Sequence, residues 1–153
     1  MTEWAFPVVQ KFNKKYNQGI SDDFFNDYTE TFGKLYEKLP RQFIHRNAHD
    51  GNIFFENDEP TTWIGFEYYN EYNVRIFDIL YGANTDTGEW RKNIIKGYNS
   101  VNPLTSEEKQ ALYYVMCSID MIFIAWGNDE TDENSCGGLL EHIKNKENFY
   151  NIF

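Results

Sequence analysis

The sequence predicts a mainly α (α+β) domain in which helices surround one short loop and one small β-hairpin. Three observations point there. Apolar side chains recur at helical spacing from Phe24 to Leu39. A capping box and an apolar stripe mark a long helix over 106–126. Two β-prone pieces flank the turn signal Asn57-Asp58-Glu59-Pro60. No repeat or low-complexity linker divides the 153 residues, a length that suits one domain around one core.

Taken in order, residues 4–16 form an aromatic segment with a basic cluster (Lys11, Lys14, Lys15), which predicts a short helix broken at Gly19. Ser21 followed by Asp22 and Asp23 is a helix start, a capping side chain with acids in the first turn. Phe24, Phe25, Tyr28, Phe32, Leu35, Tyr36 and Leu39 continue that helix until Pro40 ends it. Phe43-Ile44 is an apolar approach to a loop at 45–52. Ile53-Phe54-Phe55 and Thr61-Thr62-Trp63-Ile64 then pair as the hairpin.

Beyond Glu67 the pattern turns helical, over roughly 74–83, 87–99, 106–126 and 138–149. In the long helix, Thr105-Ser106-Glu107-Glu108 supplies the capping box. Leu112, Val115, Met116, Ile119, Ile122, Phe123 and Trp126 supply one stripe, and Gly127 closes the helix. Asn128–Ser135 is an acidic, polar loop.

Composition narrows the function classes. Aromatics are 18% of the chain, with 11 Tyr and 13 Phe, so the core should be rich in rings. A net charge of −10 with no basic stripe argues against nucleic acid and anionic membrane surfaces. It suits a cationic small-molecule substrate or a basic partner, besides simple solubility. Cys117 and Cys136 set no disulfide framework, and Cys117 reads as a small core residue. There is no signal pattern at the N-terminus, and Ser118 and Asp120 interrupt the apolar run from Ala111 to Trp126. A cytoplasmic protein is the expectation.

The loop carries the chemistry. His45-Arg46-Asn47-Ala48-His49-Asp50-Gly51-Asn52 has the spacing of a phosphotransfer loop, in which an acid five residues before an asparagine is the base and the asparagine holds magnesium. The acid position is filled by Asn47. A carboxamide oxygen is far too weak a base to take a proton from an attacking hydroxyl at neutral pH.

Residues 39–53 together with Trp63-Ile64-Gly65-Phe66-Glu67 and Arg75-Ile76-Phe77-Asp78 resemble the aminoglycoside phosphotransferase and choline kinase family, including chains of the homoserine kinase type II kind with a protein-kinase fold. The resemblance spans about residues 20–126 and implies a protein-kinase-like C-terminal lobe. It implies ATP and magnesium as cofactors and transfer of the γ-phosphoryl group to a small-molecule hydroxyl. Under it, Asn47 takes the base position without the acid. Asn52 matches the magnesium-binding asparagine. Gly65 stands where the family has its metal-binding aspartate, with Glu67 a possible partial substitute.

No glycine-rich phosphate loop is visible, and the 40 or so residues before the loop read as helices. The expectation is therefore a C-terminal lobe without its nucleotide-binding N-terminal lobe, and inactive.

Other readings of the same residues stay open. His45 and His49 are four apart, a metal-like spacing, but hydrogen-bonding structural roles fit a loop better. Asp50 beside Gly51 is either a turn residue or a substitute base. Asp78 suits a structural acceptor for backbone groups of the loop, and Arg75 a pair with a nearby acid. Tyr68, Tyr69 and Tyr72 with Glu67 and Glu71 form either a wall for a cationic substrate or ordinary hairpin-to-helix packing. The rival to a phosphotransferase is a non-catalytic module that self-associates, or binds a separate N-terminal half, through an uncovered apolar face.

Overall fold

The computed structural model of the protein describes residues 3–66, 71–82, 88–127 and 136–153. Helix α1 (Ala5–Tyr16) buries Ala5, Val9 and Phe12, one face at helical spacing, and ends where Asn17 turns left-handed at φ 51°. The Asn13 side chain fastens the exit, donating to the Ile20 carbonyl at 2.8 Å and accepting the Ile20 amide at 3.0 Å. Ser21 caps α2 (Asp22–Asp27) as expected, its hydroxyl accepting the Phe24 amide at 3.2 Å.

The helix then departs from the predicted regular run. Tyr28–Phe32 form one wide π-turn before α3 (Gly33–Tyr36). Both Tyr28 and Phe32 are buried, and the Tyr28 hydroxyl lies 2.6 Å from the buried Ser118 hydroxyl.

Strand β1 (Arg41–Ile44) leads into the loop. After the loop come β2 (Ile53–Glu56) and β3 (Glu59–Trp63), paired antiparallel with Ile53 opposite Trp63 and Phe54 opposite Thr62. Asn57 and Asp58 both have positive φ, the geometry of a tight two-residue hairpin turn. The predicted hairpin is therefore present.

Strand β4 (Glu71–Val74) is a correction to the helix expected from residue 74. It pairs antiparallel with β1, Arg41 opposite Val74 and Ile44 opposite Glu71, and the following helix α4 (Ile76–Gly82) starts only at Ile76. Pairing with a strand far away in sequence overrides the local helical pattern.

Helices α5 (Gly88–Val101) and α6 (Ser106–Trp126) follow, then α7 (Gly137–Lys144) and α8 (Glu147–Tyr150). The last two replace the single helix expected over 138–149. The predicted acidic loop at Asn128–Ser135 lies outside the described residues.

Helix α6 is the axis of the core. Its capping box is complete: Thr105 accepts the Glu108 amide, and the Glu108 carboxylate accepts the Thr105 amide. From Ala111 to Ile122 every residue is buried, the polar Ser118 and Asp120 included, so this helix is enclosed on all sides rather than along one stripe. Helices α1, α3, α4, α7 and α8 pack around it. Phe123 and Trp126, expected in the stripe, are half-exposed and touch Tyr81 and Trp4.

Each fully buried aliphatic such as Leu112 or Ile119 contributes about 1.5–3 kcal/mol of burial. The rings cluster as predicted, with Phe32 stacked on Tyr114 at 5.6 Å and an interplanar angle of 9°. Cys117 is buried in this core, as the sequence suggested, and burial pushes its thiol well above the ordinary value. Among the described residues no helix is long and apolar enough to cross a membrane.

Candidate functional site

The loop is held at both ends. Chain reversal after β1 forces Arg46 into the left-handed region at φ 64°, an uncommon place for a side-chain-bearing residue. Asp78, on α4, offsets that cost. Its two carboxylate oxygens accept the backbone amides of His45 and Arg46, each at 2.6 Å. Burial pushes the Asp78 carboxyl above its ordinary value, against the opposing pull of those two amides. The role inferred from the sequence, a structural acceptor for the loop backbone, is the one the structure displays.

Arg46 sends its guanidinium across to Glu71 at 2.5 Å, joining the loop to β4. His45 is buried, and its ring spans loop and hairpin. Nδ1 accepts the Asn47 amide at 3.2 Å, and Nε2 lies 2.7 Å from the Ile64 carbonyl, which fixes Nε2 as the protonated nitrogen.

Asn47 and Asn52 are joined directly. The Asn52 side-chain nitrogen donates to the Asn47 carbonyl at 2.8 Å and lies 3.3 Å from His49 Nε2, while the Asn52 carbonyl accepts the Ile64 amide. Gly65 adopts φ 85°, and a Cβ built there would lie 3.0–3.2 Å from the Asn52 side chain. Positions 52 and 65 are thus neighbours in space.

His49 Nδ1 accepts the Gly51 amide at 3.1 Å, and Asp50 projects almost wholly into solvent while its carboxylate accepts that same amide at 2.8 Å. The sequence-predicted residues His45, Arg46, Asn47, His49, Asp50, Asn52, Gly65 and Asp78 therefore form one cluster.

Arg75 stands apart from it. Its guanidinium makes a two-pronged pair with the fully buried Glu108 of α6, at 2.6 and 2.7 Å, and also donates to Asn102 and the Pro103 carbonyl. It ties the start of α4 to the α5–α6 connection. Glu67, Tyr68 and Tyr69 lie outside the described residues, and Tyr72 points outward, edge-on to Phe43.

The residues around Asn52 do not suit magnesium. That ion takes near-octahedral oxygen ligands, usually with one or two carboxylates. Asn52 offers one neutral carboxamide whose nitrogen is committed to Asn47, and Gly65 offers no side chain. Among the described residues no group of three or more His, Cys, Asp and Glu is placed to hold a metal ion.

Sequence reasoning missed the largest feature of the site, a cavity of about 930 Å3 between the loop, the inner face of the hairpin, α4 and α5. Ile53, Phe55 and Trp63 face it from the hairpin, Ile79 and Gly82 from α4, and Trp90, Ile94 and Tyr98 from α5. The signal on α5 was present: three large residues at intervals of four share one helix face. Gly82 lets α4 meet the loop, since a Cβ there would come within 2.3 Å of the Ala48 carbonyl oxygen.

No protein-family model matches the chain, and neither curated proteins nor solved structures give a significant match.

Proposed function

We propose that the chain is a kinase-like lobe of the aminoglycoside phosphotransferase and choline kinase type that has kept the framework of the site and lost its chemistry. One observation carries the reading. The three sequence segments behind the resemblance, separated by the hairpin and by strand β4, meet through His45: its amide on Asp78, its ring on the Ile64 carbonyl beside Gly65. The hairpin accounts for the meeting of the first two; the Asp78 carboxylate on the His45 and Arg46 amides, across more than thirty residues, is the contact that supports the reading.

The losses fall on the reacting positions. An acid at position 47 would orient a small-molecule hydroxyl, and an acid at 65 beside Asn52 would hold the magnesium of ATP. Phosphoryl transfer leans on positioning and charge stabilisation, so losing base and metal ligand together removes most of the rate. The described residues before the loop form helices α1–α3, the π-turn and strand β1, and none of them brings a glycine-rich turn to Asn52.

Calorimetry with ATP and magnesium tests this reading. No heat at millimolar nucleotide is expected. Micromolar binding or measurable turnover would sink the claim of lost chemistry. Asn47→Asp combined with Gly65→Asp asks whether the two side chains are the whole defect, and regained nucleotide binding would say that they are.

A second reading, an assembly module, is favoured by the outer face of the hairpin. Phe54 and Ile64 are exposed there, and Phe43 and Tyr72 pair in solvent on the neighbouring sheet. Exposed apolar patches of this kind mark interaction sites. Gel filtration over a range of concentrations decides it, and a monomer throughout would remove the case for self-association.

A further inference from the structure

We propose that the cavity between the loop, hairpin and α5 binds a largely apolar, ring-bearing small molecule that carries a hydrogen-bond donor or ammonium group and no phosphate or carboxylate. The inference stands on the cavity and its polar groups, not on the family reading. At about 930 Å3 the space lies within the range of small-molecule sites.

Its walls are rings that the fold leaves partly uncovered. Phe55 and Trp63 come from the hairpin, Trp90 from α5, and Phe43 and Phe66 from the flanks. Each keeps between 45% and 68% of its surface exposed. Apolar surface in water is unfavourable, and five such rings turned toward one concavity favour a flat apolar occupant.

The polar groups set the charge of that occupant. Asp78 and His45 line the cavity but are already committed, the first to two backbone amides and the second to Asn47 and Ile64. His49 is engaged by Gly51 and Asn52, and the Tyr98 hydroxyl accepts from Asn102. Among the described lining residues the charged acceptor with spare capacity is therefore the Asp50 carboxylate, whose side chain is 98% exposed and receives one backbone amide. Among the described lining residues there is no lysine or arginine, in a chain of net charge −10. An anionic group would meet Asp50 and Asp78 with no counter-charge, whereas a donor or an ammonium group would find Asp50.

Three probes with one ring system and different charge make the test: 2-naphthylmethylamine, 2-naphthalenemethanol and 2-naphthoate. Binding to the full chain is read by calorimetry and by the indole N–H signals of the four tryptophans. The amine should bind best and the alcohol about two- to fivefold more weakly, as befits one exposed ion pair. The carboxylate should bind weakest. Signals of Trp63 and Trp90 should move while those of Trp4 and Trp126, stacked on each other elsewhere, stay.

Trp90→Ala, at a half-exposed position that leaves the core intact, should cut the affinity for the amine about tenfold, which is about 1.4 kcal/mol for one wall ring. Asp50→Asn should bring the amine down to the alcohol. The proposal is overturned if naphthoate binds as tightly as the amine, if all three fail at millimolar concentration, or if Trp90→Ala changes nothing. It is also overturned if affinity falls as protein concentration rises, which would give the cavity to a second copy of the chain. None of these outcomes depends on whether magnesium and ATP bind.

Discussion

Gly65 lies against Asn52: a Cβ at position 65 would stand 3.0 Å from the Asn52 side-chain nitrogen and 3.2 Å from its oxygen. The contact follows from the hairpin, which carries the chain out from Asn52 and back to Ile64, where the Ile64 amide closes onto the Asn52 carbonyl. Any side chain placed at 65 is aimed at that carboxamide.

The first prediction concerns this glycine. At φ 85° an ordinary side chain is strained, so Gly65→Ala should lower stability by about 1–2 kcal/mol. Asn and Asp tolerate left-handed backbone better, and the neighbour that must yield is a side chain, Asn52, held by its bond to the Asn47 carbonyl. Gly65→Asp should therefore cost less than Gly65→Ala. Urea midpoints for the two variants check the order, and the reverse order would mean that contact with Asn52 outweighs backbone strain.

A second prediction concerns Asp78. Asp78→Ala strips the acceptor from two loop amides, and removing the partner of a buried donor costs about 1–3 kcal/mol per group. A total loss of about 2–4 kcal/mol is expected, since water can reach part of the loop. Amide hydrogen exchange at His45 and Arg46 should accelerate far more than exchange in α6. Unchanged protection at those two amides would show that the loop holds its shape without the carboxylate.

Arg75 and Glu108 give the third. Glu108 is wholly buried and has three donors, two from Arg75 and one from the Thr105 amide. Removing one partner of a buried pair strands the other charge, so Arg75→Ala should destabilise by about 3–5 kcal/mol. Changing both to apolar residues of similar size, Arg75→Met with Glu108→Met, should recover part of that loss. A double-mutant cycle measures the coupling, and additive losses would deny that the two charges depend on each other.

How much of this was legible follows from the range of each interaction. Ser21 on the Phe24 amide and Thr105 with Glu108 span three residues, so the sequence alone locates both caps. The hairpin is equally local. The pairing of β1 with β4 joins Ile44 to Glu71 across the whole loop and hairpin, and no local pattern announces it.

The site divides the same way. Residues 45–52 are contiguous and carry their own motif, whereas Asp78 is legible only through the Arg75-Ile76-Phe77-Asp78 segment of the resemblance. Glu108 as the partner of Arg75 was not visible, because its spacing already explains it as a cap. The cavity could not be read at all: it is a space left between four elements, and periodicity describes elements one at a time. The contact of Tyr28 with Ser118, ninety residues away, is equally hidden from local pattern.

The last prediction is a pH profile set away from the loop, where Asp27 accepts from Lys146 at 2.8 Å and from the Tyr114 hydroxyl at 2.9 Å, tying α2 to α6 and the C-terminal helices. Burial alone would raise the Asp27 carboxyl, but the hydrogen bonds from Lys146, Thr31 and Tyr114 prevail and hold it below its ordinary 3.8. Because it titrates lower in the folded chain than in the unfolded one, its contribution is complete above that value and lost as pH falls through the depressed one.

Lys146 shifts the other way. Burial disfavours its charge, yet Asp27 and Tyr114 raise it above its ordinary 10.5, so its contribution is complete below that value and lost as pH rises further. The Tyr114 phenol, pushed up to about 12 chiefly by burial, loses its contribution over the same alkaline range. The melting temperature should therefore be level from about pH 4 to about pH 10 as far as this cluster is concerned, and fall on both sides. Asp27→Asn keeps an acceptor for Tyr114 but removes the charge that Lys146 faces. It should lower the plateau, flatten the acid limb and bring the alkaline fall to lower pH. An acid limb identical to that of the unchanged protein would place the acid sensitivity in other carboxylates.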